Sequence, residues 1–383
     1  MRTFRLVHNI PSPYRLHLFR HLHSELQKRD IAFQVDFMSH GHRERPAAWR
    51  NQPIAFPHKF WNDWGIPLIR SQSHFNPGLI FDLLRTPPDY LMVNGGWNTP
   101  TNLFISALCK TQCKFVWLEG NTYTPGILTE PVGWIKRVSL KEYDFVAVPG
   151  EEGARYLRLL MKKSKEKLKT VILPNMVDET KFCPRWEISE EERCAIRQSL
   201  GLKSGDRIAI WPARLEPVKG ILPFLEMVDP EWLEGWVILL VGEGSLKPQI
   251  DELIVRRALK QHVKILNYMA YDRMPAIYQT SDLFMLPSMR DPNPLSVVEA
   301  MHTGLPVLLS ARCGNYPEAL KQNHNGWGFN PENQQEMRVA ARSAFTATQD
   351  TLRRFGKNSI EVANAFWNTK KAIIEFCDSL PQL

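Results

Sequence analysis

Long apolar runs are missing from this 383-residue chain. No window of about 18 consecutive apolar residues exists, so no membrane-spanning helix is expected. The opening residues Met1-Arg2-Thr3-Phe4-Arg5-Leu6-Val7 are basic and then apolar, but the apolar run meets His8-Asn9 at once. That is far too short for a secretory leader. Cysteine is scarce, with six residues at irregular spacing and no Cys-x-x-Cys pair. This pattern reads as reduced thiols in a cytosolic protein. No repeat of fixed period and no low-complexity tract occurs. The single Gly-Gly pair at 95–96 is too short to be a dinucleotide fingerprint.

Hydrophobic residues make up 44% of the chain, enough for a sizeable core. The length implies two domains at roughly 100–200 residues each. Charge divides unevenly: residues 1–185 hold 26 Lys and Arg against 16 Asp and Glu, while residues 186–383 hold 22 against 24. A basic half beside a near-neutral half points to an anionic partner for the first. The basic residues match no known nucleic-acid reading motif, so nucleic acid is not expected.

Short apolar strands alternate with amphipathic helices. Strands are read at 4–7, 33–38, 90–93, 115–118, 145–148 and 171–173 in the first half. A helix over 14–27 places Leu16, Leu18, Phe19, Leu22 and Leu26 on one face. A polar stretch from Pro174 to about Glu187 reads as a linker. A second series follows, with strands at 207–211, 236–241, 263–266, 283–286 and 306–309. The run Trp236-Val237-Ile238-Leu239-Leu240-Val241 is almost continuously apolar, as a buried parallel strand is. Such alternation predicts an α/β protein of two doubly wound, Rossmann-like domains facing across a cleft, with ligands beyond the strand C-termini. The expected division is 1–180, 181–360, and a C-terminal helix over 361–383 packing back toward the first domain.

Residues with chemistry follow the strands. Arg214 and Lys219 lie between a strand end and a helix start, where two cations and free helix amides suit a diphosphate. Asp291 precedes a helix expected to begin near Asn293-Pro294. The amides of Leu295 and Ser296 would be free there, and Glu299 would lie one turn inside, placed to accept hydrogen bonds from a ribose diol.

Taken in order, Pro174-Asn175-x-Val177-Asp178, Arg214, Lys219-Gly220, Gly242-Glu243-Gly244, Asp291-x7-Glu299 and Gly304-Leu305-Pro306-Val307 resemble the retaining GT-B glycosyltransferases of family 4, glycosyltransferase group 1. The resemblance covers Val171 to about Gly328. It implies a nucleotide-diphosphate sugar as donor substrate and a glycan or lipid-linked acceptor, in cell-surface polysaccharide or lipopolysaccharide synthesis. Arg214, Lys219, Leu295 and Ser296 would hold the diphosphate, Glu299 the ribose, and the backbone near Tyr268, Met269 and Ala270 the base. Asp291 would reach the transferred sugar. No cofactor and no metal are expected, since Arg214 and Lys219 would neutralise the leaving group and no DxD-type pair stands in the cleft loops. The chain departs from the family at Asp291, one methylene shorter than the usual Glu, and at Pro294, where Gly is usual and an amide is lost.

Glu119 stands after a strand where many relatives have His, and is the second catalytic candidate. Ser12, Tyr14, Arg15, Gly95 and Gly96 are candidates for an acceptor or phosphate loop. The stretch 155–169, read as a basic amphipathic helix, and Trp49, Phe56, Phe60, Trp61 and Trp64 among Arg43, Arg45, Arg50 and Lys59, suit an anionic membrane surface. The expected location is cytoplasmic, peripheral on the inner face of the membrane. Two other readings stay open: a non-catalytic binding or scaffold relative, and a sugar-nucleotide epimerase of the same architecture.

Overall fold

The computed structural model describes residues 1–42, 52–65, 73–95, 97, 99–123, 129–162, 168–203 and 205–382. They form two compact units, Met1–Val177 with Thr369–Leu383, and Asp178–Asn368.

The first unit is built on strands β1 (Arg2–His8), β2 (Ile31–Phe37), β3 (His58–Phe60), β4 (Tyr90–Asn94), β5 (Cys113–Trp117), β6 (Phe145–Val148) and β7 (Lys169–Ile172). They make one parallel sheet in the order β3-β2-β1-β4-β5-β6-β7. Its central strands are buried on both faces, which their Val, Ile, Leu and aromatic residues require. Helix α1 (Pro13–Gln27) buries Leu16, Leu18, Phe19, Leu22 and Leu26, the stripe read from its spacing. Helices α2 (Pro77–Arg85), α3 (Pro100–Leu108), α4 (Val132–Leu140) and α5 (Glu151–Met161) share another core, with Leu79, Leu83, Ile105, Leu140, Tyr156 and Leu160 buried together.

Residues 155–169 do not form one helix. Helix α5 ends at Met161, and Lys169 already pairs with Phe145 as the first residue of β7. Lys165 and Lys169 stand at helical spacing and would repel on a helix, whereas Lys169 lies in a strand. Residues 163–167 lie outside the described set. The proposed interfacial aromatics divide as well. Phe56 is core, Phe60 stacks on Phe37, and Lys59 covers Trp61, which leaves Trp64 open. Trp49, Arg43, Arg45 and Arg50 lie outside the described residues.

The second unit carries β8 (Arg207–Pro212), β9 (Trp236–Val241), β10 (Val263–Leu266), β11 (Leu283–Leu286), β12 (Val307–Ser310) and β13 (Gly326–Phe329). These form a parallel sheet in the order β10-β9-β8-β11-β12-β13. Helices α6 (Glu190–Ser199), α7 (Ile221–Met227), α8 (Lys247–Arg256), α9 (Met274–Gln279), α10 (Leu295–His302), α11 (Tyr316–Ala319), α12 (Gln334–Phe345) and α13 (Gln349–Phe366) accompany it. The single helix expected over 361–383 is two. Helix α13 ends at Phe366, and α14 (Thr369–Asp378) starts three residues later. The break separates two apolar faces. Ala363 and Trp367 are buried with the second unit, while Ile373 and Phe376 are buried in the first, where Phe376 meets the rings of Phe4 and Phe115.

Candidate functional site

In the second unit the loops that leave β10, β9, β8, β11 and β12 lie side by side in sheet order, and backbone contacts bind them to one another. The loop after β8 rests on the loop after β11, with Met289 N donating to Val218 O at 2.9 Å. Gly220 makes this approach possible: its φ is +70°, and a Cβ would stand 2.1 Å from the Pro287 carbonyl oxygen. The loop after β9 is tied in by Leu215 N donating to Glu243 O at 2.8 Å. On the other side Asp291 N donates to Arg312 O at 3.0 Å, and Gly314 N to Asp291 O at 2.8 Å. A Cβ on Gly314 would lie 1.7 Å from Pro292 O, so this contact admits glycine alone. The glycines of the sequence pattern thus have a backbone reason: they let adjacent strand-end loops touch.

Onto that floor project the charged groups. Lys219 Nζ donates to Asp291 Oδ2 in an ion pair whose side chains are 16% and 11% exposed. The sequence reading gave these residues to two different parts of a donor; the structure joins them. Arg214 is exposed, and its guanidinium makes no ion pair among the described residues. Helix α10 begins at Leu295, with Pro294 as its cap rather than its first residue. The cap is held by Asn315 Nδ2 donating to Pro294 O at 2.9 Å. The amides of Leu295 and Ser296 fall in the first turn, ahead of the helical bonding pattern. Glu299 lies one turn in and is buried. Tyr278 OH donates to its Oε2 at 2.8 Å. Burial raises the Glu299 carboxyl to about 7, with the Tyr278 hydrogen bond opposing that rise. Burial, reinforced by the Glu299 charge, drives the Tyr278 phenol well up in turn. The sequence reading gave Tyr278 no role at the site, because nothing in spacing links it to a carboxylate 21 residues on. Tyr268 is half exposed after β10, and its amide donates to Glu243 Oε1 at 3.3 Å. Met269 and Ala270 follow on the same loop.

The first unit has its own cavity, of about 280 Å³, at the ends of β1, β4 and β5. Tyr14, Arg15, Gly95 and Glu119 line it, joined by His8, Asn94, Trp97, Asn102 and Trp117. Ser12 does not; it is buried ahead of α1 without a capping bond. Gly96 lies outside the described residues. Arg15 is 3% exposed, lies 3.9 Å above the Trp117 ring and forms an ion pair with Glu119. Glu119 is therefore a partnered carboxylate, though 39% of its side chain is exposed. His8 Nδ1 donates to Ile10 O at 3.1 Å, and Asn94 Nδ2 donates to His8 Nε2 at 3.1 Å. Burial, with Arg15 nearby, holds the His8 imidazole well below its usual range and so neutral. Among the described residues no three His, Cys, Asp or Glu side chains gather as a metal site.

Residues 192–362 match the family described as glycosyl transferases group 1. Over those residues the chain is of the group 1 glycosyltransferase type. Its two parallel sheets have the GT-B fold. HepE of Anabaena, in complex with UDP and glucose, superposes with a TM-score of 0.72 over 99% of this chain and 100% of that one, at 17% identity. Sequence relatives include a UDP-Gal:alpha-D-GlcNAc-diphosphoundecaprenol alpha-1,3-galactosyltransferase of Escherichia coli, 30% identical over 39% of this chain and 38% of that protein. A D-inositol 3-phosphate glycosyltransferase of Nocardia farcinica is 25% identical over 80% of this chain and 68% of its own length. An uncharacterized glycosyltransferase of Methanocaldococcus jannaschii is 27% identical over 39% of each chain, so the match spans about two fifths of the first curated relatives.

Proposed function

We propose that the chain is a retaining glycosyltransferase that moves a sugar from a nucleoside diphosphate to a glycan or lipid-linked acceptor, without a metal, at the inner face of the membrane in cell-surface polysaccharide or lipopolysaccharide synthesis. The observation that carries this is the row of strand-end loops in the second unit, with Arg214, Lys219, the first turn of α10 and buried Glu299 side by side. In this reading the base lies against 268–270, Glu299 accepts from the ribose hydroxyls, and Arg214, Lys219 and the amides of Leu295 and Ser296 hold the diphosphate. Asp291 keeps Lys219 aimed and turns its second oxygen to the sugar. During transfer the bond from the anomeric carbon to the diphosphate oxygen breaks, and the acceptor oxygen bonds to the same face. The fixed cations offset the charge that grows on the diphosphate. The acceptor oxygen loses its proton as it bonds; the departing diphosphate oxygen can take it. The named relatives from Escherichia coli and Nocardia farcinica support the class, and the UDP in HepE supports the donor type.

The cavity of the first unit receives the acceptor in this account, with Glu119 at its rim. The test is release of free nucleoside diphosphate from UDP- and GDP-sugars in the presence of membrane-lipid and glycan acceptors. Acceptor-dependent release is expected from wild type. Glu119→Gln retains the donor site and is expected to lose about 10²-fold or more in rate if the carboxylate acts on the reacting atoms. Full activity in that variant removes Glu119 from the chemistry. No release with any donor favours the non-catalytic relative, and interconversion of sugar nucleotides without release favours the epimerase.

A further inference from the structure

The second unit holds another cavity, of about 470 Å³, lined by none of the donor-loop residues. Its volume lies in the range of small-molecule sites, about 300–1,000 Å³. Four cations, Arg185, Arg193, Arg353 and Lys357, line it against one carboxylate, Glu190, and Trp186 supplies an apolar wall. Arg185 and Trp186 belong to the stretch that the sequence reading treated as a linker.

The fold places this cavity at the far end of α10. Arg185 N donates to Thr303 O at 2.9 Å, one residue past the end of that helix. The Arg185 guanidinium pairs with Asp282, which also accepts from Ile208 N at 2.9 Å and so stands at the starts of β8 and β11. The donor loops leave the other ends of these strands. The eight residues of α10, about 12 Å of helix, separate its donor-site first turn from this cavity. Trp186 is seated by glycine. Gly304 has a φ of +77°, and a Cβ there would stand 2.8 Å from the indole ring. The indole remains 49% exposed.

The charges around the cavity do not cancel. Asp282 is shared between Arg185 and Arg197. Arg193 is left with the Arg185 carbonyl at 2.9 Å and with Glu190 at 3.7 Å, and the Glu190 side chain is 77% exposed. A pair that open is weak. Yet the Arg193 side chain is only 13% exposed, and its Nε has no acceptor among the described residues. Burial, then the charge of Arg185, lowers the Arg193 guanidinium below its ordinary range. Arg353 and Lys357 are exposed four residues apart on one side of α13, and neither makes an ion pair among the described residues. Like charges at that spacing repel. A merely solvated basic face needs neither a walled cavity nor a buried guanidinium that lacks an acceptor.

We propose that this cavity is a second ligand site, for a small phosphate ester with a ring body (a sugar phosphate or a nucleotide), whose phosphate meets Arg193, Arg353 and Lys357 and whose ring lies on Trp186. Guanidinium and ammonium groups form short, strong hydrogen bonds to phosphate oxygens. The half-open indole offers a flat apolar surface for the ring. The assignment is independent of the donor site and of the proposed transfer reaction.

The test is a thermal-shift titration of the full chain with hexose monophosphates, nucleoside monophosphates, their unphosphorylated counterparts and inorganic phosphate. One class of ester is expected to raise the melting temperature of wild type, and its unphosphorylated counterpart is not. Arg214→Ala, a change at the proposed donor site, should keep that shift. Arg353→Glu/Lys357→Glu should keep the wild-type circular dichroism and weaken the ester at least about tenfold, as loss of charged hydrogen bonds does. Trp186→Ala should weaken the ester more than it weakens inorganic phosphate. No shift with any ester overturns the assignment. A shift lost in Arg214→Ala places the ligand in the donor site and overturns it too, as does a shift that Arg353→Glu/Lys357→Glu leaves intact. Equal weakening of ester and inorganic phosphate by Trp186→Ala overturns the ring-bearing class. Each of these failures leaves the transferase reading standing, because its own test is acceptor-dependent release of nucleoside diphosphate.

Discussion

Lys219→Ala is expected to lower transfer by about 10²- to 10³-fold, the usual effect of removing a fixed group that stabilises charge in the transition state. It should also destabilise the second unit. Lys219 and Asp291 form an ion pair that is largely out of solvent. Removing one partner of such a pair strands the other, at a cost of about 3–5 kcal/mol. The two effects must be separated, because an unfolded enzyme is also inactive. Lys219→Met with Asp291→Asn separates them. That pair of substitutions removes both charges, and stability should return most of the way to wild type. Transfer should stay low, since the cation proposed to face the diphosphate is still missing. Denaturant unfolding and initial rates on the three proteins make the check. If rate recovers along with stability, Lys219 acts only to hold Asp291, and Arg214 alone neutralises the donor.

The second large effect is at Glu299, and it has a definite direction in pH. Its folded carboxyl titrates at about 7, against an ordinary value of 4.5. Between those values the unfolded chain gives up the proton and the folded chain keeps it. The unfolded state therefore binds fewer protons, and stability falls as pH rises from 4.5 to 7, levelling off above. A rise of that size corresponds to about 3 kcal/mol. Glu299→Gln lacks this titration. The stability of wild type relative to Glu299→Gln should fall by about 3 kcal/mol between pH 4 and pH 8 in denaturant unfolding. Nucleotide binding shows the opposite slope. In the proposed site the ribose hydroxyls donate to the ionised carboxylate, so binding should tighten as pH rises toward 7 and should release a proton. Calorimetry in buffers of different ionisation enthalpy reads that proton directly. Glu299→Gln should bind roughly ten- to a hundredfold more weakly and release none, as expected for loss of a hydrogen bond to a charged group. Unchanged affinity in that variant takes Glu299 out of the ribose site.

Much of this arrangement was legible in the sequence because it is local. Parallel strands buried on both faces, such as Trp236–Val241, announce themselves as apolar runs. The positions that follow them are the strand ends by construction. Gly220 and Gly242 could be singled out by pattern, yet the carbonyls they avoid, Pro287 and Ala213, come from another loop. What stayed hidden was pairing across the sheet. Lys219 and Asp291 are 72 residues apart, and Arg15 and Glu119 are 104 apart. Only the strand order β8-β11 and β1-β4-β5 brings them to adjacent ends. Tyr278 was missed for the same reason. The helix expected through Lys169 failed for a local one: like charges at helical spacing were read as an amphipathic face, when their repulsion favours ending the helix.

The claim on which the rest depends is that the second unit holds a nucleoside diphosphate through its phosphates. Calorimetric titration of UDP and GDP, each beside its bare nucleoside, into wild type and Arg214→Ala tests it most directly. One diphosphate should bind wild type on the order of 100-fold more tightly than its nucleoside, and Arg214→Ala should erase most of that difference, since hydrogen bonds between charged groups contribute about 1.5–3 kcal/mol each. Equal affinity for nucleoside and diphosphate, or a difference that Arg214→Ala leaves intact, would contradict the account.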